Sequence, residues 1–108
     1  MDDATSVIIP AYDDVDSIVA VLRGVAAQDF AEPFETIVVA SGPDATVHVV
    51  RRTFPDVVLL SNRERLTPGA ARNAGMNVAH GEVIAFLAAD CVPAPDWLCA
   101  GRGMSVAW

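Results

Sequence analysis

The 108-residue sequence contains no lysine, and its seven basic side chains are all arginines. A P-loop needs a lysine to reach the phosphates, and phosphoacceptor receiver domains use one to hold the phosphoryl group. Both classes are therefore disfavoured, although Asp13 and Asp14 follow an apolar run as a phosphoacceptor would. The net charge of −7 and the lack of a basic run also argue against nucleic acid and anionic membrane surfaces as partners.

Long apolar runs are absent as well. The longest extends from Val83 to Ala89, far short of the roughly 18 residues that a membrane-spanning helix needs. The N-terminus is acidic and leads at once into a predicted strand, unlike a secretory signal. We therefore expect a soluble, cytoplasmic protein without a transmembrane segment in this chain.

Cysteine is scarce, with only Cys91 and Cys99. Together with the scattered His48 and His80, these residues match no zinc-binding spacing. Two reduced, partly buried thiols in a reducing compartment are expected. A disulfide across the intervening proline-rich turn is the alternative.

Apolar residues make up 53% of the chain and alternate between two periodicities, which predicts one globular α/β domain. Segments with helical spacing separate the apolar runs, and Asp13 or Asp14 would cap the first helix and Asp44 the second. Short connections favour right-handed crossovers and a Rossmann-like, doubly wound, mostly parallel four-stranded sheet flanked by helices. The predicted strands are 6–10, 35–39, 57–60 and 83–87.

The third helix has the clearest predicted boundaries. Thr67 suits the N-cap, Pro68 the first helical position, and Gly81 a left-handed stop beyond the end. Small residues recur on one side of this helix, so we expect it to lie close to the sheet. The expected inner residues are Ala71, Ala74, Gly75 and Val78.

The fourth strand runs directly into Asp90, with Ala88 two residues before it. Ligands of open α/β sheets bind beyond the carboxyl ends of the strands. A carboxylate at that edge is well placed to hold a divalent cation and, through it, a diphosphate. The turn after the first strand, residues 10–14, lacks the G-x-G-x-x-G pattern, which disfavours a dinucleotide-dependent dehydrogenase.

An ordered set of segments resembles family 2 glycosyltransferases of the GT-A fold. Each segment is weak alone, but their order is specific and spans roughly residues 5 to 98. The resemblance implies that residues 1–108 form a single, truncated GT-A nucleotide-sugar-binding domain, the N-terminal half of the fold without its acceptor half. The segments are Ser-Val-Ile-Ile-Pro-Ala-Tyr (6–12), Gln-Asp-Phe (28–30), Pro-Gly-Ala-Ala-Arg-Asn-Ala-Gly (68–75), residues 79–87 and Ala-Asp-Cys-Val-Pro-Ala-Pro-Asp-Trp-Leu (89–98).

The resemblance also implies roles for individual residues. The loop with Tyr12 would line the nucleotide pocket, Arg72 would lie beside the phosphates, and Asp90 would bind Mg²⁺ or Mn²⁺. The alternatives are a packing aromatic for Tyr12, a surface ion pair for Arg72 and a turn-capping role for Asp90. The implied nucleotide-sugar-binding residues are Pro10, Ala11, Tyr12, Ser41, Arg72, Ala89 and Asp90.

Two departures from the family pattern lie at important positions. Ala40 begins the turn where the family has an acid that reads the nucleobase, and Ser41 would replace that acid only in part. Ala88 replaces the first acid of the family's D-x-D motif, which leaves Asp90 as the single metal-binding carboxylate. No residue is a good candidate for the general base, since Asp96 more plausibly starts a helix.

The implied function of the intact protein is metal-assisted hexosyl transfer from a nucleoside-diphosphate sugar to an acceptor hydroxyl. This chain would bind the donor and be inactive by itself. The alternative is a non-catalytic, degenerate glycosyltransferase-like domain that acts in binding or assembly. A homodimer is also expected if apolar side chains near the C-terminus lack cover, namely Trp97, Met104, Val106 and Trp108.

Overall fold

The computed structural model describes residues 5–43 and 45–100. Strands and helices alternate along this part of the chain, as the apolar runs predicted. The strands are β1 (Thr5–Tyr12), β2 (Phe34–Ser41), β3 (Val58–Asn62) and β4 (Val83–Phe86). The helices are α1 (Ile18–Ala26), α2 (Thr46–Thr53), α3 (Pro68–Val78) and α4 (Trp97–Ala100).

The four strands form one parallel sheet in the order β3-β2-β1-β4. Ile8 in the middle of β1 pairs with Ile37 of β2 and Phe86 of β4. The chain moves outward from β1 to β3 and then returns to add β4 on the other side of β1. This reversal confirms the predicted doubly wound α/β sheet and places a topological switch point between β1 and β4.

Successive side chains of the central strands pack on opposite faces of the sheet. Val7 and Ile9 of β1 lie in the core cluster that includes α1, Val50 of α2 and Leu98 of α4. Ile8 lies in the second cluster, against α3. The sheet is therefore covered on both faces, which explains why its central strands are continuous apolar runs.

The start of α3 is as predicted, but its end is not. The Thr67 hydroxyl accepts a hydrogen bond from the Ala70 amide at 3.2 Å, and Pro68 is the first helical residue. Within residues 5–43 and 45–100, the glycine with a left-handed backbone is Gly42, not Gly81. A Cβ on Gly81 would lie 2.6 Å from the Ser6 amide nitrogen, so glycine is needed there for close approach to β1.

The prediction that Asp13 or Asp14 caps the N-terminus of α1 is wrong. Ser17 precedes the helix without a side-chain capping bond, because a turn occupies the residues before it. Asp13 has a left-handed backbone with φ 55°, and the Asp14 carboxylate instead accepts from the Tyr12 amide at 3.0 Å. Asp44, the expected cap of α2, lies outside the described residues.

Two expectations about apolar side chains also change. Val78 is an exposed residue of α3 and is not part of its inner side. Trp97 is half-buried and packs against the core that contains α1, so it is not an uncovered surface residue. The other residues of the expected apolar patch, Met104, Val106 and Trp108, lie outside the described residues.

Candidate functional site

A cleft of about 390 Å³ opens at the carboxyl edge of the sheet, beside the switch point between β1 and β4. Its walls come from the end of β1, the segment after β4, the first turn of α3 and the loop that precedes α3. The structure brings all of the sequence-predicted site residues to this one cleft. They are Pro10, Ala11, Tyr12, Ser41, Arg72, Ala89 and Asp90.

Asp90 lies at the mouth of this cleft, on a segment that is fastened to α1. Ala89 is buried, and its carbonyl accepts a 2.8 Å hydrogen bond from the hydroxyl of Ser17. The Cys91 amide donates to the Ala88 carbonyl at 3.1 Å, which turns the chain. Ala88 and Asp90 are therefore both exposed on the cleft side, and the Asp90 carboxylate is available to a ligand.

The negative charge of Asp90 affects its neighbour. Cys91 Sγ lies 3.6 Å from Asp90 Oδ1, and the charge of that carboxylate raises the pKa of the Cys91 thiol. Both Cys91 and Cys99 are free thiols, so the alternative disulfide is not formed. Both are also exposed, whereas the sequence suggested partial burial.

Tyr12 ends β1 and exposes 40% of its surface at the cleft. The Arg65 guanidinium carbon lies 4.2 Å from the centroid of the Tyr12 ring, a cation–π contact. A Cβ on Gly42 would lie 2.8 Å from Cε1 of the same ring, so glycine lets the backbone approach its edge. Tyr12 is thus held between a cation and the turn that follows β2.

Ser41 contributes to the cleft mainly through its structural contacts. The residue is only 3% exposed, and its hydroxyl accepts a 3.1 Å hydrogen bond from the Leu66 amide. The Gly42 amide donates to the Asn62 carbonyl at 3.1 Å. These two bonds attach the loop between β3 and α3 to the end of β2.

Arg72 lies one turn into α3, exposed at the cleft, with its guanidinium carbon 5.3 Å from the centroid of the Phe86 ring. The same cleft contains the carboxylates Asp14 and Asp90 and a second guanidinium, that of Arg65. Sequence reasoning missed Asp14 and Arg65. Arg65 follows the end of β3, so its position beyond a strand was a signal that could have indicated it.

A preformed metal cluster is not found in the described ranges, where no three His, Cys, Asp or Glu side chains are grouped as potential ligands. The oxygen of Asp90 has the hard donor chemistry that Mg²⁺ and Mn²⁺ prefer. One exposed carboxylate leaves most coordination positions to a bound diphosphate and water. The residues present therefore fit a cation that arrives with its nucleotide.

None of the helices in residues 5–43 and 45–100 has the length and apolar character to cross a membrane.

Known proteins match this chain in both sequence and structure. Glycosyltransferase AglE of Haloferax volcanii is 34% identical over 105 residues, which cover 93% of this chain and 34% of that protein. The succinoglycan biosynthesis protein ExoO of Rhizobium meliloti is 34% identical over 93 residues, which cover 84% of this chain and 26% of that protein.

A solved structure is similar as well. The mannosyltransferase PcManGT from Pyrobaculum calidifontis, in complex with GDP-Man and Mn²⁺, superposes with a TM-score of 0.74 and 31% identity. The alignment covers 91% of this chain and 33% of that one, so this chain spans about a third or less of each of these three relatives. Residues 6–100, nearly the whole chain, match glycosyl transferase family 2. The chain therefore belongs to this family.

Proposed function

We propose that this chain binds the donor in a glycosyltransferase that moves a hexosyl group from a nucleoside-diphosphate sugar to an acceptor hydroxyl. The observation that carries the proposal is the convergence of Tyr12, Arg72 and Asp90 on one cleft at the switch point of the sheet. The relative from Pyrobaculum calidifontis, bound to GDP-Man and Mn²⁺, supports a donor of this class.

Each cleft residue has a role in this proposal. The Tyr12 ring provides an apolar surface for the nucleoside, and Arg72 offers positive charge to the phosphates. Asp90 would hold a divalent Mg²⁺ or Mn²⁺ ion. When bound, that ion supplies Lewis-acid stabilisation of the negative charge on the leaving diphosphate.

Ser17 keeps the segment with Asp90 in place through the Ala89 carbonyl. The buried Ala11 and Ala89 line the inner part of the cleft. Asp90 and Arg72 are exposed charged residues of the same cleft. These two residues therefore bind the charged part of the donor, whereas Tyr12 binds its planar part.

We infer that this chain does not transfer sugar by itself. An acceptor hydroxyl needs a base to remove its proton, and the carboxylates at the cleft in residues 5–43 and 45–100 are Asp14 and Asp90. Asp90 is committed to the cation, and Asp14 accepts a hydrogen bond from the Tyr12 amide. Asp96 directly precedes α4, and its carbonyl accepts from the Ala100 amide at 2.8 Å.

The proposal is tested by titrating GDP-, UDP- and dTDP-sugars into the protein with and without Mn²⁺. We expect Mn²⁺ to strengthen binding of at least one of them, and Asp90→Ala to remove that gain, about tenfold or more, because it removes the metal-binding carboxylate. Asp96→Ala, an exposed acid outside the cleft, should retain the gain. Ala88→Asp should enlarge it, since a second exposed carboxylate then faces the cleft.

The opposite result favours a second function. The alanines at positions 40 and 88 remove acids that related enzymes use, which is what a non-catalytic binding or assembly domain would tolerate. If none of the nucleotide sugars binds with or without Mn²⁺, the transferase proposal fails and the assembly domain is favoured. We also propose, as the sequence predicted, that the protein forms a homodimer and is located in the cytoplasm.

A further inference from the structure

Arg65 is placed at the cleft by contacts between segments that are far apart in sequence. The loop that carries it is joined to the end of β2 by the bond from the Leu66 amide to Ser41 Oγ. A second bond, from the Gly42 amide to the Asn62 carbonyl, joins the other side of the loop to the same turn. Arg65 therefore stands directly above the carboxyl end of β2, beside Tyr12.

The donors of this side chain are available to a ligand. The guanidinium lies 4.2 Å from the Tyr12 centroid, and within the described ranges no hydrogen bond or ion pair uses its N–H groups. Arg65 is exposed and lines the cleft. Stacking on the ring limits its motion without occupying the edge from which its hydrogen bonds would be donated.

The end of β2 offers no free side-chain acceptor beside Arg65. Ala40 has no polar side chain, and the Ser41 hydroxyl is buried and already accepts from Leu66. The group that stacks on the Tyr12 ring is a planar fork that donates hydrogen bonds and cannot accept them. A base that is recognised here must present acceptors, because an N–H group facing Arg65 would meet another donor.

We propose that Arg65 reads the nucleobase of the donor and selects guanine, and this inference rests on the proposed function. Guanine presents two adjacent acceptors, N7 and O6, that match the arginine fork in a bidentate pair. Adenine replaces one acceptor with an amino group, and uracil has an N–H group between its carbonyls. Cytosine also presents two adjacent acceptors, O2 and N3, so CDP is the decisive comparison for guanine. Tyr12 holds the guanidinium in place, and Arg65 determines which base is accepted.

The test compares free nucleotides by calorimetric titration in Mn²⁺: GDP, UDP, CDP, ADP and 7-deaza-GDP, which lacks the N7 acceptor. We expect the native protein to bind GDP about tenfold or more tightly than the other three natural nucleotides, and 7-deaza-GDP roughly tenfold more weakly than GDP. Equal affinity for GDP and 7-deaza-GDP would overturn the bidentate contact. A preference for UDP, CDP or ADP would overturn the assignment to guanine.

Variants of Arg65 distinguish recognition of the base from the effect of positive charge alone. Arg65→Lys retains the charge but loses the fork, so it should reduce GDP affinity about tenfold and change UDP affinity less than about threefold. Arg63→Lys is the matched control, since Arg63 is an exposed residue of the same loop outside the cleft. The affinities of Arg63→Lys for GDP and UDP should equal those of the native protein.

Two further outcomes would each count against the inference in a distinct way. If Arg65→Lys and Arg65→Met weaken all nucleotides and inorganic pyrophosphate by the same factor, Arg65 binds phosphate and the base-reading role fails while the proposed function stands. If the native protein binds no nucleoside diphosphate at all, the proposed function fails and this inference fails with it.

Discussion

Ser17 illustrates how a single hydroxyl can determine the position of a binding residue in a distant segment. Its Oγ donates to the Ala89 carbonyl at 2.8 Å and lies 3.2 Å from the Asp14 carbonyl. Ser17 precedes α1 but makes no side-chain capping bond. Its removal should therefore disturb the segment that carries Asp90 more than it disturbs the helix.

Ser17→Ala is expected to weaken Mn²⁺-dependent nucleotide binding severalfold, because the Asp90 segment loses its link to α1. The free energy of unfolding should fall by only about 1 kcal/mol, the net value of one ordinary hydrogen bond. Calorimetric titration and urea denaturation measure the two effects. Ser61→Ala, an exposed serine on β3 away from the cleft, is the control. Unchanged nucleotide affinity in Ser17→Ala would contradict this positioning role.

A local sequence signal indicated Asp90, because it directly follows a strand-like run, whereas the family resemblance indicated Tyr12. They did not predict the contact between Arg65 and Tyr12, which joins residues on different loops. Nor did they predict that the Ser41 hydroxyl would accept a hydrogen bond from the Leu66 amide. That bond forms only after β2 and the loop after β3 come together. Side-chain partners across the cleft thus depend on tertiary contacts that periodicity does not encode.

Among the elements, α3 lies closest to the sheet, and its glycines differ in what surrounds them. A Cβ on Gly75 would lie 2.6 Å from Cγ2 of Ile8, a fully buried residue of β1. A Cβ on Gly69, in the first turn of the same helix, would have no other heavy atom within 4 Å. The two positions therefore separate helix propensity from helix-to-sheet packing.

Gly75→Ala should destabilise the protein by about 1–2 kcal/mol, since overpacking a buried contact exceeds the gain in helix propensity. Gly69→Ala should be neutral or stabilising by up to about 1 kcal/mol, because only the propensity term changes. Chemical denaturation followed by circular dichroism measures both. Equal unfolding free energies for the two variants would show that α3 can move away from β1 at no cost.

Strand positions and helix ends differ in how well the sequence determines them. Apolar runs and the Thr67-Pro68 pair are local, so the four strands and the start of α3 were predicted closely. Gly81 was interpreted as a helix stop, although it is needed for contact with Ser6. A glycine signals conformational freedom or close approach equally well, and only the packed structure distinguishes them.

At the amino ends of the strands, opposite the cleft, a polar network joins three parts of the fold. Glu35 of β2 accepts from the Ser6 hydroxyl at 2.6 Å and from the His80 amide at 2.5 Å. The Ser6 oxygen in turn accepts from the Gly81 amide at 2.8 Å. The network therefore ties β1 and β2 to the turn between α3 and β4.

This network makes the stability of the fold depend on pH. Burial alone would raise the pKa of Glu35, but the hydrogen bonds from Ser6 and His80 and the nearby His80 ring hold that pKa below its ordinary value of 4.5. A carboxyl group whose pKa is lower in the folded state stabilises the fold above its unfolded pKa. That stabilisation is lost as the pH falls through the folded pKa, when Glu35 takes up a proton.

Glu35→Gln should therefore lower the free energy of unfolding at pH 7 by on the order of 1 kcal/mol, because hydrogen bonds to a charged acceptor become hydrogen bonds to a neutral one. The difference between the native protein and the variant should shrink as the pH falls below 4.5, where the native carboxyl also loses its charge. Urea denaturation across pH 3 to 7 measures this difference. Glu82→Gln is the control, an exposed acid next to the same turn whose substitution should shift stability little at any pH. A Glu35→Gln difference that stays constant down to pH 3 would show that the charge of Glu35 does not contribute, and that the network stabilises the sheet edge through its geometry alone.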